Sequence, residues 1–286
     1  MISRPQSQRL ALPALGLLGL SVVALVGGPV RPVGSGAAWP SFAHPLGLDS
    51  IGRDFLGVLA GGTLDFALPG FAAVCVLLLA AAAQSWWTVS ATPLGGRAEG
   101  APDGGGWLLL AAPPRLLLVM IGMLFLEEPS PWIAAGIVTA LYLPVCLDEC
   151  GAKLASLRSE QILAGAIAHG LSAPRLVFRH LLAGHLGAPL CRHGATLFAQ
   201  VAFTQIALAY VFGASAVASG LSLSWGMEFR RLVARLPSRG GALCSPDVVC
   251  APDVALLQCT LLVLASLLLL GGLLRAAATL EPEGRR

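Results

Sequence analysis

The chain has 286 residues, of which 56% are hydrophobic and only 12% charged, with a net charge of +3 and a mean hydropathy of +0.79. A water-soluble domain carries about 25% charged residues, so a soluble globular fold is excluded and a bilayer-embedded chain is expected. The apolar runs lack the period-2 alternation of a membrane barrel, which leaves helices, because they pair their own backbone groups in lipid.

Six apolar runs predict six spans. Residues 1–9 carry Arg4 and Arg9 ahead of the first run, 10–30. A cleaved signal peptide shares that order, but its apolar region is typically about 7–15 residues, so the length favours a spanning helix. The next segment, 31–65, reads as a loop and contains "HPLGLDSIGRDFLG" at 44–57. There Gly47 and Gly52 permit tight turns, and Asp49, Arg53 and Asp54 stand close enough for a local charge network. The second run is 66–83, followed by a Gly/Ala/Pro-rich linker over 85–106. The third, 107–126, is interrupted by Pro113, Pro114 and Arg115, which marks a kink or a late helix start. The fourth, 132–147, is short and ends near Pro144. A soluble segment, 148–193, leads to the fifth run, 195–217. A loop over 218–253 precedes the sixth run, 254–274, and a tail over 275–286.

The segment 148–193 exceeds a turn between helices. Ile162, Leu163, Ala166 and Ile167 have helical spacing. Gly170 allows a sharp turn. A second helix restarts with Ser172 as N-cap and Pro174 in its first turn. Leu176, Val177, Leu181 and Leu182 share one apolar face, with Arg175 and Arg179 spaced i, i+4 beside it. A helix, glycine turn, helix unit at the membrane surface follows. It serves either as an interfacial hairpin or as a docking element for a cytoplasmic partner.

With the N-terminus in the cytoplasm, twelve of the 18 basic residues fall in inside segments and six outside. The bias predicts a multi-pass protein with both termini in the cytoplasm. Arg230, Arg231, Arg235 and Arg239 dissent from a long outside loop, where the rule is weaker.

Of seven cysteines, Cys75 and Cys259 lie within apolar runs as small hydrophobes. Cys244 and Cys250 share the outside loop, where a disulfide between them is plausible in an oxidising compartment. No CxxC pair occurs, and no metal site is expected. His169, His180, His185 and His193 are expected as interfacial polar residues. Trp132, Thr139, Tyr142, Gln200, Thr204, Gln205 and Tyr210 are candidates to line a pathway, or to bond between helices.

Four segments carry a resemblance. "HPLGLDSIGRDFLGVLAGG" resembles "HPLGTDxLGRDxLSRLxxG". "LSAPRLVFRHLLAGHLGAPL" resembles "ASDLRIIFRHILPNxLPPL". "LSLSWGMEF" resembles "PPTPSWGNML", and "LLLLGGLLRAAATLEP" resembles "NLLGDGLRDALDP". These belong, in this order, to the permease subunits of binding-protein-dependent ABC importers of the dipeptide, oligopeptide and nickel group, in the second of its two permease types. The resemblance implies the six-transmembrane-helix, all-α, type I (MetI-like) permease fold. It implies a heterodimer with a second permease, two ATPase subunits below, and an extracytoplasmic substrate-binding protein above, in a bacterial inner membrane. It also implies a coupling loop over 160–182 that seats in the ATPase, with Glu160, Ala164, Gly165, Ala166, Gly170, Arg175 and Arg179 as its residues. Asp49, Gly52, Arg53 and Asp54 would form the extracytoplasmic signature. The chain departs from the family's Glu-Ala-Ala motif: Ala164, Gly165 and Ala166 stand there without the glutamate, and Ala183 replaces a proline.

No phosphate-binding loop occurs, and the only lysine, Lys153, lacks the glycine spacing of one. The chain is therefore expected to be a non-enzymatic transport subunit with no cofactor of its own. ATP and magnesium belong on the partner, and no nucleic acid is bound. A secondary transporter or channel is the rival, disfavoured because the six runs hold almost no charge.

Overall fold

The computed structural model describes residues 38–49, 52–90, 115–124, 130–159, 162–216, 225–235 and 251–278, together with 15–16, 18–19, 21–23 and 33. Among these residues the fold is all-α, with two isolated β-bridges. The elements are α1 (Phe55–Ser90), α2 (Arg115–Leu124), α3 (Pro131–Ser159), α4 (Ile162–Ala168), α5 (Ala173–Arg175), a π-helical stretch (Leu176–His185), α6 (Gly187–Ala216), α7 (Trp225–Arg235), α8 (Ala251–Ser266), a π turn (Leu267–Gly271) and α9 (Gly272–Ala278). Among the described residues, four stretches are long and apolar enough to cross a membrane: Phe55–Ser90, Pro131–Arg158, Gly187–Val211 and Val254–Arg275. They match the second, fourth, fifth and sixth predicted runs. The third run is represented by α2 alone, and the first by helical residues between 15 and 23.

Three predicted boundaries are corrected. The helix that contains the second run starts at Phe55, ahead of Phe66. Phe55, Val58, Leu59, Thr63 and Phe66 are buried at helical spacing, so the end of the signature and the residues after it are helix, not loop. Asp54 closes the helix start by accepting the Leu56 N–H at 3.1 Å, the N-cap geometry. The helix of the fourth run does not end near Pro144 but runs through it to Ser159. Cys146, Cys150, Leu154 and Leu157 bury one stripe beyond the predicted end. A proline in an apolar helix is tolerated when its neighbours take up the freed carbonyl. The loop over 218–253 contains α7, whose Trp225, Met227, Glu228 and Leu232 are buried while Arg230 faces out.

The chain divides into two compact units. The first comprises Met1–Pro69, Leu126–Trp132 and Ala202–Leu273; the second comprises Gly70–Phe125, Ile133–Val201 and Leu274–Arg286. In the first, the Phe66 ring meets Trp225 edge-on at 5.1 Å. Gly226 lets α7 approach the backbone of α6 at Ile206 and Tyr210, where a Cβ would collide with the Ile206 carbonyl. In the second, Gly70 lies against the ring of Phe198, and Phe71 packs on the same ring at 5.1 Å. The Gln84 side chain donates to the Leu147 carbonyl at 3.0 Å.

Candidate functional site

Two polar assemblies and one surface hairpin hold the functional candidates.

The first assembly is the signature segment, in the first unit. Gly47 and Gly52 both adopt φ of 78°, the left-handed turn that glycine accepts without strain. A Cβ at Gly47 would run into the Ala38 carbonyl. The two turns bring Ala38, Leu48 and Asp54 together as isolated antiparallel bridges. Asp49 is thereby placed to receive Arg53 twice, through its backbone N–H at 2.8 Å and its Nε at 2.7 Å. The Arg53 guanidinium also reaches Glu228 on α7 at 2.8 Å, and Arg231 reaches the same Glu228 oxygen at 2.6 Å. Arg53 is 11% exposed, and Asp49 and Glu228 are 4% and 5% exposed at their side chains. Burial works against the Arg53 charge, but Glu228 and Asp49 outweigh it and hold the guanidinium above its ordinary pKa. Asp54, predicted within the same network, turns instead to its helix cap and to His44, whose ring lies 3.6 Å away. The segment is anchored from elsewhere in the unit. Gln258 on α8 donates to the Leu48 carbonyl at 3.0 Å, and the Trp225 indole donates to the Leu59 carbonyl at 2.8 Å. Asp49, Arg53, Glu228, Trp225 and Gln258 each have a partner within the unit, whereas the buried His44 Nδ1 makes no hydrogen bond.

The second assembly, in the second unit, joins α3 to α6. His193 is buried, with Nδ1 2.8 Å from the Tyr142 hydroxyl and Nε2 2.9 Å from Glu149. Glu149 also pairs with Arg192. A neutral ring with its proton on Nε2 satisfies all three groups: Tyr142 donates to Nδ1, and Nε2–H donates to Glu149. His193 is therefore not the interfacial residue that its sequence context predicts. His169, His180 and His185 are exposed. Cys146 and Cys150 are buried free thiols beside this network on α3, and Cys75, Cys191 and Cys259 are also free. Among the described residues, no three His, Cys, Asp or Glu side chains are grouped to hold a metal ion.

The hairpin lies between α3 and α6. Gly170 turns at φ 77°, with open space around it. Ser172 occupies the N-cap position with extended backbone, and Pro174 follows in the first turn. Leu163, Leu176, Val177 and Leu181 are buried; Arg175, Arg179 and Gly165 are exposed, and Phe178 is 61% exposed. Ala164 and Ala166 are half-buried. Glu160, Cys244 and Cys250 lie outside the described residues.

Of the pathway candidates, Thr139 donates back to the Ala135 carbonyl, Tyr142 bonds His193, and Gln205 donates to the Pro131 carbonyl at 2.5 Å. Tyr210 stacks on Phe229, with ring centres 5.5 Å apart. These four serve structure. Sequence reasoning missed Glu228, Trp225 and Gln258 as partners of the signature. It also missed Asp65, which falls at the edge of the predicted loop but sits inside α1. Each contact spans more than 150 residues of chain or depends on a helix boundary, and local pattern carries neither.

No family model matches the chain, and no curated protein matches it.

Proposed function

We propose that the chain is a permease subunit of an ATP-driven importer for peptides, related small solutes or nickel, built on the six-helix type I permease fold. It lines half of a translocation pathway in a bacterial inner membrane and pairs with a second permease. An extracytoplasmic binding protein delivers solute, and two ATPase subunits hydrolyse ATP below. The reading rests on the four segments that resemble the importer permeases, and the four long apolar helices among the described residues agree with a multi-pass chain.

The observation that carries the coupling role is the hairpin. It is short, rigidly turned at Gly170, and anchored by Leu163, Leu176, Val177 and Leu181. It projects Phe178 between Arg175 and Arg179. An aromatic anchor flanked by guanidinium groups suits an apolar groove with an acidic rim. Such a contact transmits a partner's closure as a rigid-body shift of the helices on either side.

The test is co-purification with a co-expressed importer ATPase subunit. Gly170→Pro cannot keep a φ of 77°, so its ATPase recovery should fall while the wild-type chain retains the subunit. Equal recovery refutes the coupling role.

A second reading, transport not driven by ATP, is favoured by one observation. Asp65 is an acidic residue inside a spanning helix, and such charges mark ion paths. Solute uptake by the purified chain alone in liposomes, with no ATPase present, would establish it against the importer.

A further inference from the structure

Cys146 and Cys150 stand one turn apart on the same face of α3, and both are fully buried. Their thiols interact with each other through a hydrogen bond, and neither is in a disulfide. A disulfide does not suit this spacing. Residues four apart on a helix hold their Cβ atoms about 5–6 Å apart, whereas a disulfide draws them to about 3.8 Å. A bridging metal ion does suit it. Two thiolate bonds of about 2.3 Å, set in line, separate the sulfurs by about 4.6 Å.

The groups around the pair restrict the ligand count to two. His193 has both ring nitrogens engaged, Nδ1 with Tyr142 and Nε2 with Glu149. Glu149 is also paired with Arg192. Zinc takes at least three protein ligands, and no such trio gathers among the described residues. Two soft sulfurs alone suit an ion that accepts two ligands in line, and thiolates select Cu(I). Glu149, which adjoins Cys150 in sequence, is 42% exposed, so the pair lies just beneath a solvated edge of the helix.

We propose that Cys146 and Cys150 bind one Cu(I) ion in a linear, two-sulfur site on α3. Both S–H bonds release their protons to water, two S–Cu bonds form, and no oxidation state changes. The bis-thiolate complex carries one negative charge. Arg192 offsets Glu149 beside Cys146, so that charge meets no unbalanced carboxylate. The bound ion staples one turn of α3 beside its joint with α6. The site does not depend on the importer reading and stands whether or not an ATPase drives the chain.

The test uses the full chain in nanodiscs, kept reduced and free of oxygen. It is titrated with Cu(I) held by bathocuproine disulfonate, whose colour reports transfer to the protein. Cys146→Ala and Cys150→Ala should each take up one equivalent less than wild type. The lost site should be weakened about 100-fold or more, beyond the 10–100-fold that a missing supporting contact costs. Zn(II) in equal excess should not displace the ion. A wild-type chain that takes no copper from the chelator overturns the proposal. Copper uptake unchanged in either alanine variant overturns it too, as does displacement by Zn(II). Should the alanine variants fail to fold, the Cys244→Ser, Cys250→Ser chain decides. It should hold copper whose X-ray absorption shows two sulfur neighbours, and a chain that holds none, or holds it on nitrogen or oxygen, is the overturning result.

Discussion

Replacing Arg53 by methionine keeps most of the side-chain length and removes the charge between Asp49 and Glu228. At the observed separations of 2.6 and 2.8 Å, each attraction is worth about 6 kcal/mol with an effective dielectric near 20. Desolvation of three buried ions, at several kcal/mol each, offsets most of that gain. Arg53→Met deletes both attractions and leaves two carboxylates out of water. Arg231 still reaches Glu228, so Asp49 bears most of the imbalance. The expected loss is about 3–5 kcal/mol, the usual cost of breaking a buried pair from one side. Denaturant titration of the detergent-solubilised chain measures it. The double change Arg53→Met, Asp49→Asn should recover most of the loss, because Glu228 keeps Arg231 and no buried carboxylate is left without a cation. The sign with pH follows from the raised Arg53 pKa. Its contribution is complete below the unfolded arginine value and is lost only as pH rises through the higher folded one. The gap between wild type and Arg53→Met should therefore stay constant from about pH 6 to 9. A single variant within about 0.5 kcal/mol of wild type, the range of an ordinary surface change, would refute the view of the cluster as a buried, interdependent unit.

Three further outcomes follow from the packing. Gly226→Ala forces a methyl group into the Ile206 carbonyl and should cost about 1–3 kcal/mol or more in the same titration. Trp225→Phe should cost only about 1 kcal/mol, since the Leu59 carbonyl keeps its bond from Thr63; Trp225→Ala should cost about 3–5 kcal/mol through the emptied volume beside Phe66. Tyr142→Phe strips the donor from His193 Nδ1 and should cost about 1–3 kcal/mol, as for other buried groups left unpaired.

Helix type and apolar runs were legible because lipid leaves the backbone few choices. Helix ends were not. The stripe Cys146, Cys150, Leu154, Leu157 continues the fourth span past Asp148, Glu149 and Lys153, and those charges disguise it as a loop. At the other end of the error, "RDFLGVLAGG" is rich in glycine, yet Phe55, Val58 and Leu59 bury at helical spacing. The turns at Gly47, Gly52 and Gly170 were readable, because glycine is the residue that a positive φ requires. The Arg53–Asp49 pair was readable because four residues separate its members. Its third member, Glu228, lies 175 residues away in a segment with no apolar run to flag it, and His193 gave no local sign that Tyr142 and Glu149 would bury it.

That separation also sets an order of events in synthesis. A chain made at about 5–20 residues per second exposes Arg53 to the membrane surface for roughly 9 to 35 s before Glu228 is made. The Leu48 carbonyl waits longer still for Gln258, 210 residues on. During that interval Arg53 has Asp49 alone, and only the local turns of the signature can form. The cap is thus complete only when the last third of the chain is present. A chain truncated before α7 lacks both Glu228 and Gln258, so Arg53 keeps Asp49 alone and the Leu48 carbonyl keeps only the Ala38 N–H.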